Sequence, residues 1–419
     1  MLLNSRSLFV YSYLILFAGF YLGEDLNGNA KEDYLGQFHI ILEFSKDVLY
    51  SLENYSKLEE GTSRQSPIFF LILSFIYDIV NNSELLRFLN FNLSFFSIII
   101  FYKCLKILYF EKNNEFNITL VAIIFCLSPS FRSLSIWPNS INLGLLFFLI
   151  SILFFLKYSK EKNDKVKFSN ALYNVIFLSF ASYISPNFSV FVIYYSYNYL
   201  KYFNVKKISL IFLLNILLCF PAIYYVFIDS NYFMFNHVVS DSVDNTINLS
   251  LFINKLAIIT SIIIFHLIPF IFINNKYLAK IRIKVYLKLF ITIFFLILIV
   301  LNFNYPFEIG GGGFFFKLSH FLFGNNYFYF FIIFFCLLLI LNIINFKIDN
   351  FILVLCLLIS IPQYSIYHKY FDPLILILWF LLFDKDYDYS KYFKKLKNIF
   401  FLYLFYLIFI GLNYIKGVI

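Results

Sequence analysis

Between Gly23 and Ser66 the chain carries nine of its 24 acidic residues, together with His39 and Arg64, directly after the first apolar run. Glu24, Asp25, Glu32 and Asp33 come first, where the chain leaves that run. Carboxylates held at a membrane–water boundary can take a proton from an attacking hydroxyl or amine. If that attack displaces a phosphate, the departing charge needs cations close by. Arg64, Arg132, His320, His368 and Lys369 are the candidates for that role. A plainer role competes for each group. Carboxylates at the start of a helix stabilise its dipole, and single cations more often meet lipid headgroups.

From Asp33 to Tyr55 the pattern predicts an amphipathic helix. Tyr34, Phe38, Ile41, Val48, Leu52 and Tyr55 form an apolar stripe that Leu35, Leu42 and Leu49 widen. His39, Glu43, Lys46, Glu53 and Asn54 fall on the other side. Such a helix is expected on the membrane surface, with its stripe in the headgroup region.

The elements that must position these residues are membrane spans. The chain is 61% hydrophobic and only 14% charged, with a mean hydropathy of +0.79. Soluble domains average about 25% charged residues. Apolar runs near 7–22, 86–103, 117–131, 141–157, 170–185, 188–201, 208–228, 251–274, 286–303, 327–346, 350–362, 373–384 and 398–415 predict an all-α polytopic membrane protein with about thirteen spans. Residues 1–419 are expected to form a single transmembrane domain, with 23–85 as a first extracytoplasmic loop. Leu8–Leu22 is expected to remain as an uncleaved first helix. Ile68–Val80 is too short for a span and is expected as an interfacial or re-entrant helix on the outer side.

With the N-terminus inside, this layout gathers 23 of the 33 Lys and Arg on one face, as the positive-inside rule requires. The net charge of +9 therefore describes loops facing a membrane, and nucleic acid is not an expected partner. The outer face presents the acidic first loop, the Pro129–Ser140 turn, and the segments 229–248, 304–326 and 363–372. Abundant Phe, Ile, Asn, Lys and Tyr suggest an AT-rich genome, so single Phe or Asn residues carry little weight. The five cysteines show no CxxC and no ligand spacing, which suits small buried apolar groups. Gly310–Gly313 reads as a flexible turn without the Lys-Ser/Thr of a phosphate loop.

Several short segments, in this order, resemble the GT-C glycosyltransferases, including the protein mannosyltransferases and the lipid A aminoarabinose transferases. Glu32-Asp33-Tyr34 is similar to their acidic first-loop motif, and Arg64–Phe70 to their proline–aromatic segment. Ser83–Arg87 resembles the run that opens the next span, and Ser128–Ser133 the proline-and-arginine turn after the third. Tyr367–Pro373 resembles a tyrosine–arginine–tyrosine run near the start of a late span.

The resemblance implies an inverting enzyme that takes a sugar from a polyprenyl-phosphate donor. Its acceptor would be a lipid, glycan or protein on the outer face of a bacterial inner membrane. Asp33 would be the catalytic base, with Glu24 and Asp25 as rivals. Glu32, Tyr34, His39, Arg64, Arg132, His368, Lys369 and Tyr370 would contact substrate. PSFRSLSIWPNS lacks the acidic pair that binds metal in the oligosaccharyltransferase branch, so no divalent metal or other cofactor is expected. A secondary transporter or flippase is the main alternative, and an outer-face polymerase or ligase of lipid-linked glycans a third.

Overall fold

A computed structural model describes residues 4–26, 29–55, 65–110, 115–225, 249–273, 285–307, 311–361, 365–383 and 394–418. Arg64, the outer segment 229–248 and the basic cluster 276–284 lie outside these. The described residues are helical with no strand. The chain forms two compact units, Met1–Phe235 with Tyr387–Ile419, and Asn236–Asp386.

The first unit begins with α1 (Ser5–Leu22), α2 (Ala30–Lys46), α3 (Val48–Glu53), α4 (Pro67–Val80) and α5 (Ser83–Tyr109). Then follow α6 (Glu115–Ala122), which runs on as a 3-10 turn to Leu127, and α7 (Pro129–Ile136), α8 (Ser140–Lys160) and α9 (Asp164–Ile184). After a 3-10 turn (Pro186–Phe191) come α10 (Val192–Leu200) and α11 (Val205–Ile223). The second unit holds α12 (Leu249–Ile273), α13 (Val285–Asn302), α14 (Gly313–Phe323), α15 (Tyr327–Ile344), α16 (Ile348–Ile359) and α17 (Leu374–Leu381). The final helix, α18 (Leu396–Val418), returns to the first unit.

Among the described residues eight helices are long and apolar enough to cross a membrane, or nine if the bent pair Glu115–Leu127 and Pro129–Ile136 is one span. The protein is thus an integral, multi-pass membrane protein. Several apolar runs expected to be spans form shorter elements. The run at 188–201 becomes a 3-10 turn and the 9-residue α10, while α16 has 12 residues and α17 only 8. A span needs roughly 20 residues at 1.5 Å each. Helix α9 has 21 residues but is more polar, with Asn170 and Asn174 buried inside it.

Asparagine proves more informative than the genome-composition argument allows. Asn4, Asn82, Asn139, Asn163 and Asn204 cap the N-termini of α1, α5, α8, α9 and α11, each accepting from a backbone N–H of the first turn. A cap satisfies donors that a lipid environment would otherwise leave orphaned.

The expected surface helix over 33–55 breaks at Asp47, whose extended backbone ends α2 and whose side chain caps α3. Its buried face is also rotated from the expected stripe. Tyr34, Gln37, Ile40, Ile41 and Phe44 are buried, whereas Leu35 is 56% and Leu49 73% exposed. That face packs on α4 and α7 in one cluster with Phe69, Phe70, Leu73, Leu134 and Trp137, so protein rather than headgroups covers it. Gln65 fastens the arrangement. Its side chain accepts from Ser140 N–H (2.7 Å) and donates to Gln37, and its carbonyl accepts from Tyr55 Oη (2.8 Å).

Two glycines should respond in opposite directions. A Cβ at Gly144 would sit 2.8 Å from Ser185 Cβ and 2.9 Å from Phe188, whereas one at Gly36, within α2, would meet nothing within 4 Å. Gly144→Ala is expected to cost about 1–3 kcal/mol through overpacking. Gly36→Ala should gain about 0.5–1 kcal/mol through helix entropy. Thermal unfolding of the purified variants measures both.

Candidate functional site

Helix α1 ends in a left-handed glycine turn. Gly23 (φ +65°) donates to Phe20 O, and Glu24 N–H reaches back to Gly19 O. This reversal, the Schellman arrangement that glycine permits, aims the following three residues at α7. Glu24 forms a two-pronged ion pair with Arg132: Nε donates to Oε1 at 2.9 Å and Nη2 to Oε2. The Glu24 and Arg132 side chains are only 7% and 10% exposed. Arg132 Nη1 also donates to Cys126 O (2.9 Å), Trp137 Nε1 to Glu24 O (3.1 Å), and Leu26 N–H to Ser133 Oγ (2.8 Å). A Cβ at Gly19 would lie 2.3 Å from Glu24 Oε2 and 2.9 Å from Arg132 Nη2, so the pair occupies the space that glycine leaves.

Arg132 is placed by a Ser-Pro helix start. Ser128 caps α7 by accepting from Phe131 N–H (3.1 Å), and Pro129 takes the first position, where its missing N–H costs nothing. All eight residues of α7 are buried. Neighbouring amides therefore satisfy its polar groups. Asn90 donates to Ser135 O (3.0 Å), and Asn142 to Phe131 O (3.2 Å) and Ser135 Oγ (3.0 Å).

Asp25 has a structural task of its own. Asn29 precedes α2 in a left-handed conformation and makes no side-chain cap; Asp25 Oδ2 accepts from Lys31 N–H (3.0 Å) in its place. Asp33 is half-buried in the first turn of α2, with Glu32 exposed beside it. His39 is exposed, with Nδ1 2.7 Å from Gly36 O. Tyr34 is buried at 3% exposure, its ring 6.1 Å from that of Trp137. Burial pushes its phenol well above the ordinary range against the opposing pull of Arg87, so the hydroxyl keeps its proton and can donate.

Arg87, near the start of α5, is a residue that the sequence reading left out of the site. Its guanidinium stacks 3.7 Å above the Trp137 ring and 5.1 Å from Phe20. Nη1 grips both oxygens of Glu84 (2.8 and 2.7 Å), but Glu84 is 67% exposed and such pairs are weak. Arg87 Nη2 and Tyr34 Oη are both buried without a hydrogen-bond partner. Each such orphan is a standing cost of about 1–3 kcal/mol. The available signal was an arginine one turn inside an apolar helix, which by default marks function.

His368, Lys369 and Tyr370 lie in the second unit. His368 Nε2 accepts from Phe314 N–H (2.9 Å), and its Nδ1 is 3.4 Å from His266 Nε2. The Nε2 lone pair of His368 is thus engaged by the chain's own backbone. Lys369 lies 5.5 Å from the Tyr367 ring, and Tyr370 packs edge-on to Tyr367 at 6.0 Å. The glycine turn is pinned: Gly311–Gly313 are all left-handed, and Gly312 N–H donates to Ile366 O (2.9 Å). His320 is stacked on Phe307 at 4.8 Å, with Nε2 2.8 Å from Asn326 Oδ1.

The site in the first unit is therefore a buried acid–arginine pair beside a second arginine that has donors to spare. Glu24→Ala or Arg132→Ala leaves an uncompensated buried charge and should cost about 3–5 kcal/mol. Glu84→Ala removes an exposed partner and should change stability by no more than about 1 kcal/mol. Denaturation midpoints of the three variants in one detergent test the contrast. No family model, curated protein or solved structure matches this chain.

Proposed function

We propose that the protein is a membrane glycosyltransferase of the GT-C kind, moving a sugar from a polyprenyl-phosphate donor to a lipid, glycan or protein acceptor on the outer face. What supports this is a half-buried carboxylate one residue from a tyrosine that packs on the stack of Trp137 and Arg87, an arginine with one unsatisfied nitrogen. The first turn of α2 holds Asp33 and Tyr34, and Tyr34 lies against the Trp137–Arg87 stack. Glu24 and Asp25 are committed to Arg132 and to the start of α2. In this reading Asp33, half-buried on the first turn of α2, is the base.

In the proposed step Asp33 takes the proton of the acceptor hydroxyl as its oxygen attacks the anomeric carbon. The bond from that carbon to the phosphate oxygen breaks, and its electron pair leaves with the phosphate. Arg87 Nη2 and the Tyr34 hydroxyl are donors suited to that growing charge. Arg132, neutralised by Glu24, holds the scaffold instead of the phosphate. No metal is assigned, because the turn bearing Arg132 has no carboxylate. The charge asymmetry of the loops supports an outward site, and a bacterial inner membrane is the proposed location.

A transporter or flippase draws support from one observation, the 68° break between Glu115–Leu127 and Pro129–Ile136. Broken helices commonly line transport sites. Purified protein in vesicles, supplied with a polyprenyl-phosphate sugar and envelope acceptors, separates the two. Covalent transfer is expected. Asp33→Asn should lower kcat by about 10²–10⁴-fold, the usual worth of a general base, with Asp25→Asn much milder. Transfer undiminished in Asp33→Asn removes the base assignment. Translocation of the donor without a covalent product sinks the enzyme.

A further inference from the structure

We propose that the end of the first unit where α8, α9, α10 and α11 meet is a binding surface for anionic phospholipid. Lys157 and Lys160 close α8, Lys165 and Lys167 open α9, Lys201 follows α10, and Lys206 and Lys207 open α11. The two acids among them are already engaged. Asp164 pairs with Lys207, and Glu161 Oε1 accepts from the N–H groups of Lys162 and Asn163 (both 2.8 Å). With Lys162, eight lysines stand against these two acids, so the local charge stays strongly positive.

Aromatic rings lie under several of the lysine ammonium groups. Lys167 Nζ lies 4.8 Å from the Tyr202 ring and 5.0 Å from Tyr158, Lys201 Nζ 4.0 Å from Tyr197, and Lys157 Nζ 5.0 Å from Phe154. Lys157, Lys165, Lys201 and Lys206 are exposed. Directly beside them the surface turns apolar. Tyr202 is 66%, Val205 78% and Leu210 53% exposed, and only 6% of the spanning window of α11 is buried by protein.

One ligand meets both halves of this surface: an acidic headgroup on the lysines, with acyl chains along α11. Clustered lysines at the end of a span attract anionic lipid, and interfacial tyrosines sit at headgroup level. A nucleic acid or an acidic protein would satisfy the lysines and leave the apolar flank of α11 uncovered. The surface is independent of the proposed transferase site.

The test uses full-length protein in phosphatidylcholine vesicles and compares spin-labelled phosphatidylglycerol with spin-labelled phosphatidylcholine at the protein surface. A preference for phosphatidylglycerol is expected. Lys157→Gln, Lys165→Gln, Lys201→Gln and Lys206→Gln combined should reduce it at least about fivefold, the effect of roughly one lysine at a membrane surface. The same four changed to Arg should keep it. A matched control, Lys103→Gln, Lys394→Gln, Lys395→Gln and Lys397→Gln, should keep most of it. An undiminished preference in the first variant, its loss in the Arg variant, or an equal loss in the control overturns the proposal.

Discussion

The ion pair between Glu24 and Arg132 is the constraint on which the site in the first unit rests. Neither charge is tolerable alone in so apolar a setting, so the two segments that carry them must meet. Meeting fixes the rest in sequence. Gly19 has to lack a side chain, and Gly23 has to turn the chain back. The backbone of Glu24 and Leu26 then docks on Trp137 and Ser133. Once Trp137 is held by its ring nitrogen, its face becomes the platform for Arg87. Arg87 and Tyr34 are left with donors facing no acceptor.

Helix α7 shows how a short, fully buried element survives where water cannot supply hydrogen bonds. A serine and a proline start it, and Asn90 and Asn142 from flanking spans cover its carbonyls. Arg87 Nε adds a longer contact to Ile136 O at 3.4 Å. The bend before α7 lies at Ser128, where the backbone turns extended ahead of Pro129. Irregular backbone shut off from water has to be enclosed and satisfied by protein, and every residue of α7 is enclosed.

Much of the architecture was legible from hydropathy alone: the membrane class, the brevity of the helix over 67–80, and the isolation of the acidic segment. Span number was less so. Apolar runs near 188–201 and 350–384 look alike in composition whether they cross a bilayer or fold as short packed helices. The phase of α2 was misread because Gln37 is buried through its bond to Gln65, which periodicity cannot reveal. The Glu24–Arg132 pair joins residues far apart in the chain, and no local pattern connects them. The capping asparagines were hidden by their own abundance. Each is informative only once the helix it opens is known.

Trp137 carries one last consequence. The chain has two tryptophans, and the other, Trp379, belongs to the second unit. An indole stacked under a guanidinium and hydrogen-bonded to Glu24 has an emission that follows the charge and wetting around it. The protein thus contains an optical sensor between Arg87 and the Glu24–Arg132 pair. With Trp379 replaced by phenylalanine, fluorescence alone would register an anion settling on Arg87, without any label or any turnover.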